Sequence, residues 1–421
     1  MSKLLPVRGT HDIIGEDFRL QNYVIKSALT VAETFGYEPI ETPIFESTDV
    51  YQRTLGETSD IVNKEMYTFK DKGGDSLTLR PEGTAGIARA VISGGLQDNT
   101  PLKWYYSGPM FRHERPQKGR LRQFHQFGAE LIGVADPAAD VEVISMATEF
   151  LRNLGLLSEV KLQLNTLGDF QSRKTYRESL INYFSDFKDN LSEESQVRLT
   201  RNPLRILDSK DSNDKEIVSG APSFHNFLTP EADSFFKNMC SGLDNLGIEY
   251  LSNPYLVRGL DYYCHTTFEF ISDKLGAQGT LLAGGRYDGL IPMMGGQSIP
   301  GVGWAAGIER ICMLTQMPTE EPRAICVIGL GEPGEKEAAK IALRLRRSKF
   351  KVDLIYKGGL KRGLRRANKI GAVAAILLGE NELTNNNVTV RNLDNGSQTE
   401  VSLSELDSHL AVYESAKLVA E

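Results

Sequence analysis

The chain has 421 residues, 40% of them hydrophobic, and its 48 Lys+Arg against 55 Asp+Glu leave a net charge of −7. That length supports two or three domains with proper cores, and the acidic balance excludes a generally basic nucleic-acid coat protein while permitting a local basic surface. Four scattered cysteines (Cys240, Cys264, Cys312, Cys326) with no CxxC pair indicate neither a disulfide framework nor a zinc knuckle. MSKLLPVRGTHD lacks an apolar core of signal-peptide length and no apolar run reaches the length of a bilayer span, so a cytoplasmic protein without membrane association is expected.

Residues 16–35 repeat Phe18, Ile25, Ala28, Leu29, Ala32 and Phe35 at helical spacing, and Gly36 supplies a stop. YEPIETPIFE follows as an extended segment, because Pro39 and Pro43 disfavour helix at the residues before them. Alternation predicts strands at 76–80, 103–114, 160–165, 266–271 and 279–285, with helices at 83–94 and 138–154. Strands outnumbering helices and joined by hairpin-length loops predict an α+β domain, an antiparallel sheet flanked by helices. The charged, helix-forming stretch from about 170 to 225 reads as a helical insertion in it. QMPTEEPRA, at 316–324, reads as a linker. These features predict one domain over 1–320 and a second, α/β domain over 321–421, built on the pattern AICVIGL, helix, KVDLIY, helix, VAAILLG.

Two features of the tail compete for attention. GLGEPG, at 329–334, follows a strand and opens a helix, with Asp353 some way beyond, which satisfies a dinucleotide-binding fingerprint. The domain is short for that fold, however, and Glu332, Glu335 and Glu337 would crowd a bound pyrophosphate. A glycine-rich turn is the plainer reading. From Lys336 to Lys369, thirteen cations face only Glu337 and Asp353. That concentration suits a phosphate backbone, although two solvated helix faces would look the same.

The densest chemistry lies in FRHERPQKGRLRQFHQFGAEL, at 111–131. Period-two alternation puts Arg112 and Glu114 on one face of the first strand and Gln126 and Glu130 on one face of the second. His113 and His125 then point elsewhere, which argues against a metal site built from His or Cys clusters. RPEGT places Glu82, Gly83 and Thr84 at a helix start, where they can bind an ammonium group or do no more than cap the helix. RGLDYY supplies Arg258, Asp261, Tyr262 and Tyr263, GGRYDGL adds Tyr287, and GIER adds Arg310.

Pro43 in an extended segment, FRHE with a long loop to QFGAE, and GIER on a helix together resemble the three signature motifs of class II aminoacyl-tRNA synthetases. RGTHD, RPEGT, RGLDYY and GGRYDGL resemble the histidyl-tRNA synthetase family in particular, and the likeness spans essentially the whole chain. It implies a class II catalytic domain, the helical insertion, and a C-terminal anticodon-binding domain. It implies activation of L-histidine with ATP, transfer of the acyl group to the 3′ end of tRNA(His), and a homodimer formed around Pro43.

By the same resemblance Arg112, Arg258 and Arg310 are catalytic, and with Glu114 they bind ATP, with Mg2+ expected on its pyrophosphate portion. Arginine suits phosphate through its permanent charge and donor fork. Glu82, Gly83, Thr84, Gln126, Glu130, Tyr262 and Tyr263 form the histidine site, Glu130 and Tyr263 taking the imidazole. Arg115, Gln117, Lys118 and Arg120 approach the tRNA. A histidine-sensing regulatory paralogue of ATP phosphoribosyltransferase is the alternative, which would lack the anticodon domain and carry altered motif arginines.

Overall fold

The computed structural model describes residues 3–56, 61–207, 209–257, 262–317, 322–356 and 358–416. Two compact units divide the chain, Met1–Gln316 and Met317–Glu421. Among the described residues no helix is long and apolar enough to cross a membrane.

The first unit is built on β1 (Glu38–Pro39), β2 (Leu102–Phe111), β3 (Gln123–Ile132), β4 (Lys161–Thr166), β5 (Leu251–Ser252), β6 (Cys264–Ile271), β7 (Thr280–Arg286) and β8 (Gly301–Gly307), in the spatial order β1-β2-β3-β8-β7-β6-β4-β5. The six inner strands pair antiparallel. Only the two-residue edge strands β1 and β5 run parallel to their neighbours, a pairing that requires the long crossovers leading to and from them. The strand expected to run to residue 114 ends at Phe111. Beyond it Arg112 keeps one ladder-like bond to the Arg122 carbonyl, and the chain opens into the loop.

The two faces of this sheet differ in character. On one, α1 (Gly15–Thr34) buries Val24, Ala28, Val31 and Ala32, a stripe at helical spacing. With α3 (Ala138–Asn153), whose Phe150 packs inward, it covers Phe127 and Trp304, all three no more than 2% exposed. On the other face, α2 (Thr84–Ser93) and the helix Thr48–Leu55 pack over Met110 and a group of tyrosines, Tyr106, Tyr262, Tyr263 and Tyr287. Alternation along β2 and β3 produces this division: Tyr105, Phe127 and Ala129 enter the dry core, while Tyr106, Gly128 and Glu130 face the tyrosines.

Between β4 and β5 lie the helices Phe170–Ser185, Glu193–Arg201 and Ser212–Ser219, which enclose a separate apolar cluster of Leu180, Phe184, Ile206 and Phe224. At its centre the Asp214 carboxylate accepts from Ser192 (N at 2.9 Å, Oγ at 2.7 Å) and from the Ser195 and Ser209 hydroxyls, both at 2.6 Å. Burial pushes this carboxyl up, but the hydrogen bonds from Ser195, Ser209 and Ser192 outweigh it and bring its pKa to about 2. The following helix, Pro230–Asn245, packs Met239 and Leu243 against the sheet core instead.

The second unit carries β9 (Ile325–Gly329), β10 (Val352–Ile355), β11 (Ala374–Leu378), β12 (Asn387–Asn392) and β13 (Gln398–Ser402), ordered β10-β9-β11-β12-β13. The first three are parallel, as β-α-β connections require. The antiparallel hairpin of β12 and β13 extends the sheet beyond the predicted pattern. Its signals are short, the alternating Val388 and Val390 and the Asn395-Gly396 turn with Gly396 at φ 75°. GLGEPG serves packing: a Cβ on Gly329 would overlap the backbone of Gly334 and Glu335 where the helix Gly331–Arg347 crosses its strand. Asp353, the candidate ribose ligand, is held by Arg366 at 2.8 and 3.2 Å. The helix Leu360–Lys369 buries only Gly363 and Ala367 and leaves Lys361, Arg362, Arg365 and Lys369 exposed.

Asp214→Ala removes the acceptor shared by three serines and is expected to cost about 3 kcal/mol. Hydrogen exchange should localise the loss to residues 170–220 and leave the eight-stranded sheet protected. Because the folded pKa lies below the unfolded one, the Asp214 contribution is fully present above about pH 4 and disappears as pH falls through about 2.

Candidate active site

On the tyrosine-bearing face a cavity of about 320 Å³ opens at the ends of β3, β7 and β8. Behind one wall sits Glu130, in the middle of the sheet, opposite Trp104 on β2 and Gly303 on β8, and 1% exposed. Its carboxylate occupies the space a side chain at residue 303 would take, since a Cβ there would overlap Oε2. Thr84 Oγ1 donates to Oε1 at 2.6 Å and the Tyr287 hydroxyl donates to Oε2 at 2.5 Å. Burial pushes the Glu130 carboxyl from its ordinary 4.5 up to about 8; the Thr84 and Tyr287 donors restrain the rise and the nearby Glu82 charge adds to it.

Glu82 stands at the start of α2, where backbone N–H groups lack helical partners. Its two oxygens accept from Thr84 N at 2.7 Å and Ala85 N at 2.8 Å, so it caps the helix and also lines the cavity. Burial raises its pKa, while those amide bonds and the Arg112 charge pull it down. The Tyr106 ring fills the room left by Gly83 and Gly128, either of which would collide with it if it carried a Cβ. Two buried polar atoms facing this region make no hydrogen bond: the Tyr106 hydroxyl and the Gln126 amide oxygen. A site that leaves such atoms unpaired is shaped for a polar ligand.

The opposite wall is cationic. Arg112 stacks over Phe124, its Cζ 5.3 Å from the ring centroid, and donates from Nε to the Pro81 carbonyl at 2.9 Å. Arg310, on the short helix Ile308–Cys312, donates to the Gly119 carbonyl at 3.0 Å and the Thr280 carbonyl at 2.8 Å. Arg120 forms an ion pair with Glu114. Burial, and after it the charges of Arg120 and Arg112, lower the pKa of Arg310. Like charges held this close in a partly dry site repel one another until an anion joins them, and their donor forks match phosphate oxygens.

Of the residues singled out in the sequence, Glu82, Thr84, Arg112, Glu114, Arg120, Gln126, Tyr262, Tyr263 and Arg310 all line this one cavity. Glu130 and Gly83 lie just behind its wall, bonded to Thr84 and packed on Tyr106 respectively. Arg115, Gln117 and Lys118 are exposed on the loop that leads to Gly119. Arg258 and Asp261 fall outside the described residues. The two histidines are engaged elsewhere, His113 edge-on to Tyr67 and His125 Nδ1 on Glu309 at 2.9 Å. Among the described residues no group of three His, Cys, Asp or Glu side chains is arranged to hold a metal ion. Sequence reading missed three parts: Tyr287 as the partner of Glu130, Tyr106 as the ring packed between Gly83 and Gly128, and Phe124 as the platform for Arg112. Strand parity, which puts Phe124 on the face that Arg112 shares, and the pairing of Tyr106 with Gly128 across the hairpin carried signals for two of them.

Comparison with known proteins adds independent findings. A histidyl-tRNA synthetase family profile matches residues 9–311, and an anticodon-binding domain profile matches 324–411. The chain is 55% identical over 412 residues to the histidine–tRNA ligase of Rhodospirillum rubrum, covering 98% of this chain and 99% of that protein. It is 51% identical over 411 residues to that of Gluconacetobacter diazotrophicus, with 98% and 99% covered. The crystal structure of apo S. aureus histidyl-tRNA synthetase superposes with a TM-score of 0.81 at 36% identity, covering 97% of this chain and 99% of that one.

Between its ordinary pKa and about pH 8, folded Glu130 keeps a proton that the unfolded chain has lost, so stability falls as pH rises through that window. Glu130→Gln should remove this slope: its unfolding free energy, measured against wild type from pH 5 to 9, gains relative to wild type by a few kcal/mol across the range. A carboxylic-acid stretch present at pH 6 and gone at pH 9.5 in the unliganded wild type, absent from the variant, checks the assignment. Parallel pH profiles for the two proteins would refute it.

Proposed function

The chain belongs to the histidyl-tRNA synthetase family, and from that premise we propose that the cavity in front of Glu130 is where it activates L-histidine with ATP and passes the product to tRNA(His). The activity is that of a histidine–tRNA ligase, an ATP-using class II synthetase reaction. The observation that carries the siting is the opposition of two walls, a buried carboxylate with hydroxyl neighbours on one side and three guanidiniums on the other.

In the first step a histidine carboxylate oxygen attacks the α-phosphorus of ATP, forming the acyl phosphate anhydride and releasing pyrophosphate. In the second, a hydroxyl of the tRNA terminal ribose attacks the acyl carbon and AMP leaves. A neutral imidazole has one donor and one acceptor, so Glu130 and Tyr263 suit its two nitrogens, and a mismatched side chain would leave them unpaired. Glu82, Thr84 and Gln126 are placed for the α-ammonium group. With the imidazole N–H bonded to it, the Glu130 carboxylate is stabilised in its charged form.

Arg112 is assigned to the α-phosphate and Arg310 to the distal phosphates, where fixed cations stabilise charge that develops as the bond to pyrophosphate breaks. Arg258 completes this set by resemblance. Mg2+ fits as a companion of the ATP phosphates, since Glu114 and Glu309 on the same wall offer the one or two carboxylates it takes alongside phosphate oxygens. It would add charge neutralisation there.

The loop with Arg115, Gln117 and Lys118 is assigned to the tRNA acceptor end, and the exposed cations of Leu360–Lys369 to the anticodon stem. A homodimer is proposed on the three-stranded sheet of Phe45–Ser47, Tyr67–Lys70 and Ser76–Leu79, beside which Ile44, Phe45 and Phe69 are 43–52% exposed. A cytoplasmic location accords with this role. A histidine sensor would have no use for the phosphate-matched wall or the anticodon-binding domain.

The purified protein is expected to catalyse ATP–pyrophosphate exchange that depends on histidine. Arg310→Met should raise the KM for ATP by roughly tenfold or more and leave that for histidine nearly unchanged, the pattern of a lost phosphate contact. Absence of exchange with any amino acid would sink the reading, and an equal rise in both KM values would remove Arg310 from the ATP site.

A further inference from the structure

Arg286 is the largest fully buried side chain among the described residues, and it takes no part in lining the cavity. Every guanidinium N–H is used. Nε donates to Asp140 Oδ2 at 3.0 Å, Nη2 to the same carboxylate and to the Asp136 carbonyl at 3.3 Å, and Nη1 to the Val134 carbonyl at 3.0 Å and Asp288 Oδ1 at 3.2 Å. Its Cζ lies 5.1 Å from the centroid of the Phe235 ring. Arg286 and Asp140 are both 0% exposed.

A buried ion pair is a weak device for stability, because desolvating both charges offsets most of their attraction, but it is a strong device for fixing orientation. The position matters here. Pairing of β7 with β6 shifts register between Gly285 and Arg286, whose partners are Thr267 and Cys264, leaving His265 and Thr266 as an extra pair in β6. His265 sits there at φ 44°, a left-handed conformation that side chains disfavour. The ladder with β6 is thus broken just where the chain turns towards the site. What holds the next residues is Arg286 itself, together with Tyr287 N on the Gly301 carbonyl at 2.7 Å and Gly301 N on Asp288 Oδ1 at 3.2 Å. From that backbone Tyr287 reaches Glu130.

We propose that the Arg286–Asp140 pair is a positioning element for histidine selection: it locks the end of β7 to α3 so that the Tyr287 hydroxyl stays on Oε2 of Glu130. This rests on the assignment of Glu130 to the imidazole. Neither Arg286 nor Asp140 touches substrate. Their influence passes through Tyr287 to the Glu130 wall first, because Arg112 and Arg310 are held by other carbonyls, those of Pro81, Gly119 and, at the opposite end of β7, Thr280.

The test is ATP–pyrophosphate exchange on the full chain, with KM measured separately for histidine and ATP in wild type, Asp140→Asn, Tyr287→Phe and the double variant. Each single change should raise the KM for histidine about tenfold, the loss of one hydrogen bond to a charged group, and move that for ATP less than about twofold. The double variant should be no worse than the poorer single one, since both break the same link. A lowered Tm with both KM values unchanged overturns the proposal and leaves the pair a purely structural feature. Should Asp140→Asn not fold, Asp288→Asn, at a partly exposed carboxylate, is measured instead: a selective rise of about threefold in the histidine KM supports the proposal, and none overturns it. A wild type without histidine-dependent exchange overturns the underlying activity itself, and is distinguished by failing before any variant is compared.

Discussion

The first unit is organised around one expensive placement, a glutamate carboxylate buried in the middle of an eight-stranded sheet. Glu130 at 1% exposure is tolerable only because Gly303 leaves it room, Thr84 and Tyr287 donate to its two oxygens, and the sheet holds all of them in register. Each of those partners comes from a different part of the chain. Thr84 arrives on α2, Gly303 on β8, and Tyr287 from the turn after β7. The fold can be read as the scaffold that brings three distant segments to one carboxylate, and burial keeps its charge costly until a partner arrives.

The arginine wall faces a similar problem with opposite sign. Arg112 and Arg120 stand close enough to lower the pKa of Arg310, and backbone carbonyls, Glu114 and the Phe124 ring hold their geometry meanwhile. Preorganisation of this kind places the cost in folding, so that little reorganisation is needed when an anion binds. The two walls rely on largely different anchors and share β7, which carries Thr280 at one end and leads to Tyr287 at the other.

Away from the site, polar chemistry is used for assembly. Asp214 gathers three serines to close the helical insertion on its own small core. In the second unit GLGEPG allows a helix and a strand to touch, and the exposed cations of Leu360–Lys369 remain available to a polyanion. The same residue types that line the candidate site elsewhere in the chain serve here as caps and surface, and only their surroundings distinguish the two uses.

Periodicity and motif order in the sequence by themselves determined the alternation of the central strands, the main helices and the family resemblance, because these depend on local propensity and on spacing along the chain. Period-two alternation already places Arg112, Gln126 and Glu130 on one side of a hairpin, while the rest of the candidate set was drawn from the family resemblance. Three things were decided only by the tertiary structure. The hydrogen-bond partners of Glu130 come from segments with no sequence proximity to it. The parallel edge strands and the β12–β13 hairpin depend on pairing rather than on pattern strength. The charge on Glu130 depends on how much water the packed tyrosines exclude, a quantity set by the whole assembly and not by any one stretch of residues.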